Sequence, residues 1–353
     1  MSKMVNKKRP LSRKQKDAIV IITIGAMGGL LYPVLVGEYG KLAEMFNGFL
    51  IGLLSSGFIV LNEIVYSRAY VKQKKFRTLV LVKSLIYSAF FTIIVVIEVS
   101  VERAVVAKQN LIEYINDPDS VLIWNEDLYI IVLYALTVTT IIIFFYQMSR
   151  KMGQGVLWNF ISGKYHKARE EERIFMFMDV NNSTELAEKL GDIDYNNLLN
   201  DFFFDITESI LTNYGEIYRY VGDEVVVSWK LKKGEAQAHF LRAYFHAKRA
   251  IHIKREEYLK LYGLVPGFSA GFHYGKVIVG EIGEVKSQIC FFGDVMYETT
   301  ELEKSCKKYK TDNLISETLL NLIELPQIFD ATEMGVVEIQ GFASINAYSI
   351  TER

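Results

Sequence analysis

The sequence predicts a four-helix transmembrane domain followed by an α+β domain, on three observations. Apolar residues make up 50% of the 353-residue chain, and the excess is concentrated before residue 150. There it forms four long apolar stretches. From residue 174 onward, short β-branched and aromatic runs alternate with stretches of helical period, so strands interleave with helices and hairpins. That order fits an α+β sandwich of the ferredoxin-like or palm kind rather than a doubly wound parallel sheet.

The four stretches are Ala18–Val36, Phe49–Tyr66, Thr78–Val99 and Leu128–Met148. Each approaches the ~20 residues needed to cross a hydrocarbon core. The first has too long an apolar run and no small-residue cleavage site, so a cleaved signal peptide is not expected. Residues 1–17 carry Lys3, Lys7, Lys8, Arg9, Arg13, Lys14 and Lys16, and the second connection carries Arg68, Lys72, Lys74, Lys75 and Arg77. The loop from Ser100 to Asp127 is instead rich in acid. Positive charge stays inside, which predicts a multi-pass protein of the inner (plasma) membrane with both termini cytoplasmic. Glu63 and Lys83 lie near inner helix ends. They read either as a buried ion pair or as two side chains snorkelling to one interface, and their depth favours snorkelling. Without an inverted repeat or a helix broken at mid-depth, a transporter is not indicated. The outer loop is too short for a folded sensor.

The expected organisation is a basic segment over 1–17, the membrane domain over 18–148, a helical connector over 149–172 and the second domain over 173–353. In the connector, Met148, Met152, Val156 and Phe160 recur every four residues, while Gly153 and Gly155 weaken the helix. Two readings stand: a dimerising signal helix, or a simple tether. Net charge is −1, so no basic surface points to nucleic acid. The two cysteines, Cys290 and Cys306, give neither a disulfide framework nor zinc spacing.

In the second domain Ile174–Met178 reads as a buried strand and Ser183–Leu190 as a helix capped by Asn182 or Ser183. The apolar positions from Tyr195 to Ile210 mark an amphipathic helix. Ile217–Val221 and Glu224–Trp229 flank a Gly222-Asp223 turn, a hairpin signal. A long helix over Glu235–Lys260, strands at Gly267–Tyr274, Val277–Val279 and Gln288–Phe292, a helix at Val295–Tyr309, a strand at Asn313–Ser316 and two last strands complete it. Asp179 ends the first strand and Asp223 sits in the hairpin turn. If the two tips lie side by side, their carboxylates could hold two Mg²⁺ ions ~3.5–4 Å apart. The helix entered through Val180–Thr184 would offer N–H groups to a triphosphate. Taken singly, each aspartate is an ordinary cap or turn residue.

Together with their surroundings these residues resemble the class III nucleotidyl cyclases. The shared features are Asp-x-x-x-Ser-Thr after an apolar strand, Gly-Glu-Ile-Tyr leading to Tyr-Val-Gly-Asp-Glu, His273-Tyr274-Gly275-Lys276-Val277 leading to Gly280-x-Ile282-Gly283, and Phe292-Gly293-Asp294 opening a helix. The resemblance runs from about Arg173 to Ile350. It implies a head-to-tail dimer that turns a nucleoside triphosphate, ATP foremost, into a 3′,5′-cyclic monophosphate and pyrophosphate with two Mg²⁺ or Mn²⁺ ions. It implies Asp179 and Asp223 as metal ligands, main-chain groups of Val180, Asn181, Asn182, Ser183 and Thr184 as the phosphate cradle, and Arg219 and Cys290 as the base-selecting positions.

Three positions depart from that pattern. The asparagine and arginine implied on the helix after Gly293-Asp294 are Tyr297 and Glu301, and a phosphate-contacting lysine falls at Phe342. Arginine replaced by glutamate exchanges attraction for repulsion beside a triphosphate. Losing one preorganised donor typically costs ~10²–10³ in rate. Besides a homodimeric membrane cyclase, the sequence thus allows a half-site chain that pairs with a different cyclase, or a nucleotide-binding regulatory module without catalysis. Lys286, Lys304, Lys307 and Lys308 are candidates to replace the lost charge.

Overall fold

The computed structural model describes residues 13–35, 42–65, 75–116, 118–153 and 155–353, and divides into two compact units, Met1–Met152 and Gly153–Arg353. Most of the basic residues behind the expected orientation lie outside the described residues.

The described part of the first unit is helical: α1 (Arg13–Leu35), α2 (Leu42–Val65), α3 (Phe76–Ala107), the short α4 (Leu111–Asn116) and α5 (Pro118–Met152). Three helices hold spans long and apolar enough to cross a membrane, Met45–Glu63, Phe76–Glu98 and Val132–Met152. The apolar part of α1, Ala18–Val34, is shorter than these, because Lys16 and Asp17 precede it and α1 ends at Leu35. α1 and α2 touch backbone to backbone. A Cβ on Gly29 would fall 2.0 Å from the Gly48 carbonyl oxygen, and one on Gly52 2.2 Å from that of Gly25. The glycines stand four residues apart on each helix, the small-residue spacing that lets membrane helices approach closely.

Glu63 and Lys83 pair, but inside the bundle, at 4% and 9% exposure. Lys83 and Tyr87 both donate to Glu63 Oε1, Tyr87 at 3.1 Å, and Arg150 Nη1 stands 3.9 Å from Oε2. This corrects the snorkelling expectation. The charges are enclosed among α2, α3 and α5, where each finds its counter-charge and so avoids the cost of an unpaired buried ion. The expected helical connector over 149–172 is helical only in part. α5 ends at Met152, Gly153 and Gly155 take φ of +98° and +72°, and only the short α6 (Val156–Ile161) follows.

The second unit is built on one mixed sheet: β1 (Arg169–Val180), β2 (Glu216–Val221), β3 (Glu224–Lys230), β4 (Phe268–Ile282), β5 (Gln288–Phe292), β6 (Asn313–Ser316), β7 (Phe329–Val337) and β8 (Ile345–Glu352). The order is β2-β3-β1-β4-β6-β8-β7, with β5 paired to β4 off this path. Every strand pairing of this sheet is antiparallel except β4 with β6. β1 is central and covered on both faces, which is why its sequence is a continuous apolar run. Ile174, Met176, Met178 and Val180 meet Leu198, Phe202, Ile206 and Ile210 of α8 (Asp192–Thr212) in one core, and Phe175 and Phe177 meet Val277, Val279 and Val295 in another. The short α7 (Ser183–Leu190) precedes α8.

β1 begins at Arg169, four residues before the expected boundary, because its polar start pairs with the far half of β4, Glu172 opposite Lys276. β4 itself is a single strand where two were expected. Gly275 does not break it; the glycine makes room for Val295, whose Cβ would lie 2.9 Å from a Cβ at 275. The short α9 (Leu231–Gly234) precedes the expected helix over Glu235–Lys260, which is divided into a turn, α10 (His239–Ile253) and α11 (Arg255–Tyr262). α12 (Asp294–Tyr309) then lies on β4, α13 (Glu317–Leu322) follows β6, and a Cβ at Gly271 would come within 2.4 Å of the Glu303 amide nitrogen.

Arg173, 2% exposed, joins three strands of this sheet. It donates to Glu171 at 2.7 Å, Glu216 at 2.9 Å and Ser228 at 2.9 Å, and its guanidinium lies 4.8 Å from the centre of the Phe291 ring. Burial alone would raise the Glu171 pKa, but Arg173, Tyr165 and Lys164 bring it down to about 2.

Gly48→Val is expected to force α1 from α2 and lower the thermal midpoint of the detergent-solubilised chain. Gly57→Val, at a position where a Cβ meets nothing within 4 Å, should leave it unchanged. Arg173→Met, which strands two carboxylates, is expected to destabilise the second unit by about 3 kcal/mol in a denaturant titration.

Candidate active site

The two aspartates are brought together by strand register. Asp179 stands opposite Glu224 where β1 pairs with β3, and opposite Ser269 where β1 pairs with β4. The β2–β3 hairpin closes with Val221 opposite Glu224, so Gly222 and Asp223 form its turn, and Gly222 takes a φ of +62° that favours glycine. Asp223 therefore hangs over the end of β1, and its side chain hydrogen-bonds that of Asp179. Both are half-buried.

Burial, and next the charges of Asp223, Glu303 and Glu224, push the Asp179 carboxyl from its ordinary 3.8 up to about 7. Two carboxylates this close cannot both ionise freely, and a proton or a cation must lie between them. Glu303 projects from α12 and accepts from Ser269 Oγ at 2.7 Å; burial raises its pKa. Ser269 also reaches Asn181 Oδ1 at 3.1 Å, tying the Val180–Thr184 turn to α12. Among the described residues no three His, Cys, Asp or Glu side chains stand together as a metal cage. The pair fits Mg²⁺ or Mn²⁺ in another way, as a one- or two-carboxylate holder that leaves the remaining positions to phosphate oxygens and water.

The chain from Val180 to Thr184 turns sharply into α7. Asn181 N donates to the Gly267 carbonyl at 2.9 Å, and Asn182, with φ of +56°, occupies the N-cap position without a side-chain cap bond. The expected cap by Asn182 or Ser183 is thus not made. The first amides of α7 stay open, as an anion-binding helix start requires.

Arg219 and Cys290 meet around Tyr218. The exposed Arg219 guanidinium lies 5.2 Å from the Tyr218 ring, and the Cys290 thiol interacts with the Tyr218 hydroxyl. Tyr218 stacks on Phe291 at 4.4 Å and accepts from the Phe291 amide at 3.3 Å. Phe291 in turn rests on Arg173, so Tyr218 and the residues around it stand on the buried ion cluster. Tyr218, Ser269 and Glu303 were not singled out from sequence. An aromatic one residue before Arg219 was the available signal for the first; the other two act across the sheet and carry no local pattern.

Two of the three departures also converge. The rings of Tyr297 and Phe342 pack at 5.4 Å, although they come from α12 and from the loop between β7 and β8. Glu301 is ion-paired to Lys304 at 2.9 Å.

Residues 166–352 match the adenylate and guanylate cyclase catalytic domain, and the chain belongs to that family. Adenylate cyclase 2 of Rhizobium meliloti (strain 1021) is 33% identical over 211 residues, which are 60% of this chain and 58% of that relative. The chain therefore matches little more than half the length of this relative. Two solved structures of a bacterial light-regulated adenylyl cyclase share the fold, with TM-scores of 0.51 and 0.52, identities of 20% and 22%, and coverage of 62% and 64% of this chain and 64% and 66% of theirs.

Between pH 3.8 and about 7 the folded, metal-free chain holds a proton on Asp179 that the unfolded chain has lost. Stability should therefore fall as pH rises through that window. Thermal midpoints in EDTA from pH 5 to 8 are expected to show this slope, and Asp179→Asn should flatten it.

Proposed function

We propose that this chain is a membrane-bound nucleotidyl cyclase that converts ATP to 3′,5′-cyclic AMP and pyrophosphate for intracellular signalling. The observation that carries the reading is the register-enforced contact of Asp179 with Asp223 at the mouth of an uncapped helix start. Adenine is favoured because the relative from Rhizobium meliloti is named an adenylate cyclase. The three apolar spans of the first unit support insertion in a membrane; with the shorter apolar helix Ala18–Val34 as a fourth crossing and the basic residues of the sequence kept inside, the chain is a multi-pass protein of the inner (plasma) membrane with both termini cytoplasmic.

In this reading Asp179 and Asp223 hold two Mg²⁺ or Mn²⁺ ions, which supply Lewis-acid charge to the phosphates and favour the ionised 3′-hydroxyl. The open amides of Val180–Thr184 cradle the triphosphate. Arg219 and Cys290, braced by Tyr218, read the base. The ribose O3′ attacks the α-phosphorus in line, the bond to the β-phosphate oxygen breaks, and the O3′ proton passes to water. The working form is a head-to-tail homodimer.

A second reading has its own observation. The Tyr297–Phe342 contact fills with aromatic surface the two places where the resemblance implies polar contacts to ribose and phosphate. That favours a half-site chain completed by a different cyclase, or a regulatory module that binds nucleotide without turning it over.

The test is a product assay on detergent-solubilised protein with Mg²⁺ or Mn²⁺ and each of ATP, GTP, CTP and UTP. Cyclic AMP should form, and Asp179→Ala and Asp223→Ala should each reduce it at least ~10²-fold, since metal charge is lost. Metal-dependent nucleotide binding without product would replace the homodimeric enzyme by the second reading.

A further inference from the structure

The chain leaves its last apolar span and almost at once forms a second apolar element. The span Val132–Met152 has 21 residues, which at ~1.5 Å per residue matches a hydrocarbon core ~30 Å thick. Arg150 and Lys151 lie in the last turn of α5, at the level where cations meet lipid headgroups. Only residues 153–155 separate Met152 from Val156, so even a fully extended link lets α6 start no more than ~14 Å beyond the span. Covalent reach alone therefore keeps α6 beside the headgroup layer.

What is tethered there is apolar and uncovered. Five of the six residues of α6 are Val156, Leu157, Trp158, Phe160 and Ile161, and none of the six is buried. Trp158 is 70% exposed and Ile161 61%. Standing three residues apart they share one face, and Leu157, four before Ile161, borders it. The backbone asks little of water. Ser162, Gly163 and Lys164 donate their amides to the carbonyls of Trp158, Phe160 and Asn159 at 2.9, 3.1 and 3.1 Å, and Asn159 N donates to the Gly155 carbonyl at 2.9 Å. A short helix whose last carbonyls are already answered enters an apolar layer without leaving polar groups unpaired.

A second copy of the chain is a poor cover for this face. The apolar edge that begins at Met148 is broken where Gly153 and Gly155 take φ of +98° and +72°. The six residues beyond the break supply less than one heptad, where a paired helix needs roughly three to four.

Resting on the membrane-bound reading above, we propose that α6 is an interfacial helix whose Trp158 and Ile161 insert into the cytoplasmic leaflet of the bilayer that α5 crosses. Its partner is a lipid surface. Tryptophan suits that level because its ring is apolar and its N–H is polar. A helix face of this kind sinks ~5–10 Å into the boundary between headgroups and acyl chains.

The experiment is tryptophan fluorescence of the full-length chain reconstituted in phosphatidylcholine vesicles whose acyl chains carry bromine either near the headgroup or at the chain end. Wild type and Trp158→Phe are compared, and their difference isolates Trp158, since Trp124 and Trp229 are common to both. The Trp158 component is expected to lose roughly half its intensity or more to bromine near the headgroup, and less to bromine at the chain end, as the interfacial depth requires. Aqueous acrylamide should affect it little, and Ile161→Asp should remove most of the lipid quenching. A Trp158 component quenched by acrylamide but not by brominated lipid belongs to a free tether, and one quenched by neither is covered by protein. Either result overturns the proposal while the membrane reading stands. Protein that alkaline carbonate strips from the vesicles is not embedded, which removes the membrane reading and the anchor with it.

Discussion

Two carboxyl groups that repel one another are held in contact by backbone hydrogen bonds, and the arrangement of the second unit follows from that constraint. Asp179 cannot withdraw, because the strand that carries it is paired on both sides and buried on both faces. Asp223 cannot swing away, because a two-residue turn fixes its distance from that strand. The repulsion is therefore stored in side-chain ionisation rather than relieved by movement, and it appears as the raised pKa of Asp179. A sheet edge or a longer loop would have let the pair separate.

The same strand carries a second electrostatic feature of opposite kind. At its other end Arg173 is a buried cation surrounded by acids, satisfied on every side, and it stabilises rather than strains. Its aromatic neighbour Phe291 supports Tyr218, and Tyr218 orders Arg219 and Cys290. One strand thus carries an under-compensated acidic end at Asp179 and, through the compensated Arg173, anchors Tyr218 with Arg219 and Cys290.

Much of this was legible where the signal was local. The Gly222-Asp223 turn between β-branched runs declares a hairpin, and an apolar run ending in Asp179 declares a buried strand with a polar tip; both stand as expected. Long-range relations were not legible. Gly275 reads as an interruption in β4, yet it exists for the approach of Val295 from another element. Glu303 lies on the buried face of α12, where periodicity predicts an apolar residue, and only its hydroxyl partner Ser269 across the sheet explains it. Likewise Glu63 and Lys83 gave depth but not partners, because Tyr87 and Arg150 approach them from other turns and another helix. Gly153 and Gly155 signalled weakness in a helix; the left-handed backbone that ends it depends on conformation rather than composition.

The seat of α12 on β4 bears on how this domain can change over time. Gly271 lets the helix backbone rest directly on the strand, and Gly275 makes room for the Val295 side chain. At Gly271 the height of the helix is therefore set by main-chain atoms, which mutation of neighbouring residues does not alter. The outward residues Tyr297, Glu301 and Lys304 take no part in that seat, whereas Glu303 does. Such a frame lets the outward face change its chemistry through a few substitutions while the helix keeps its place on the strand.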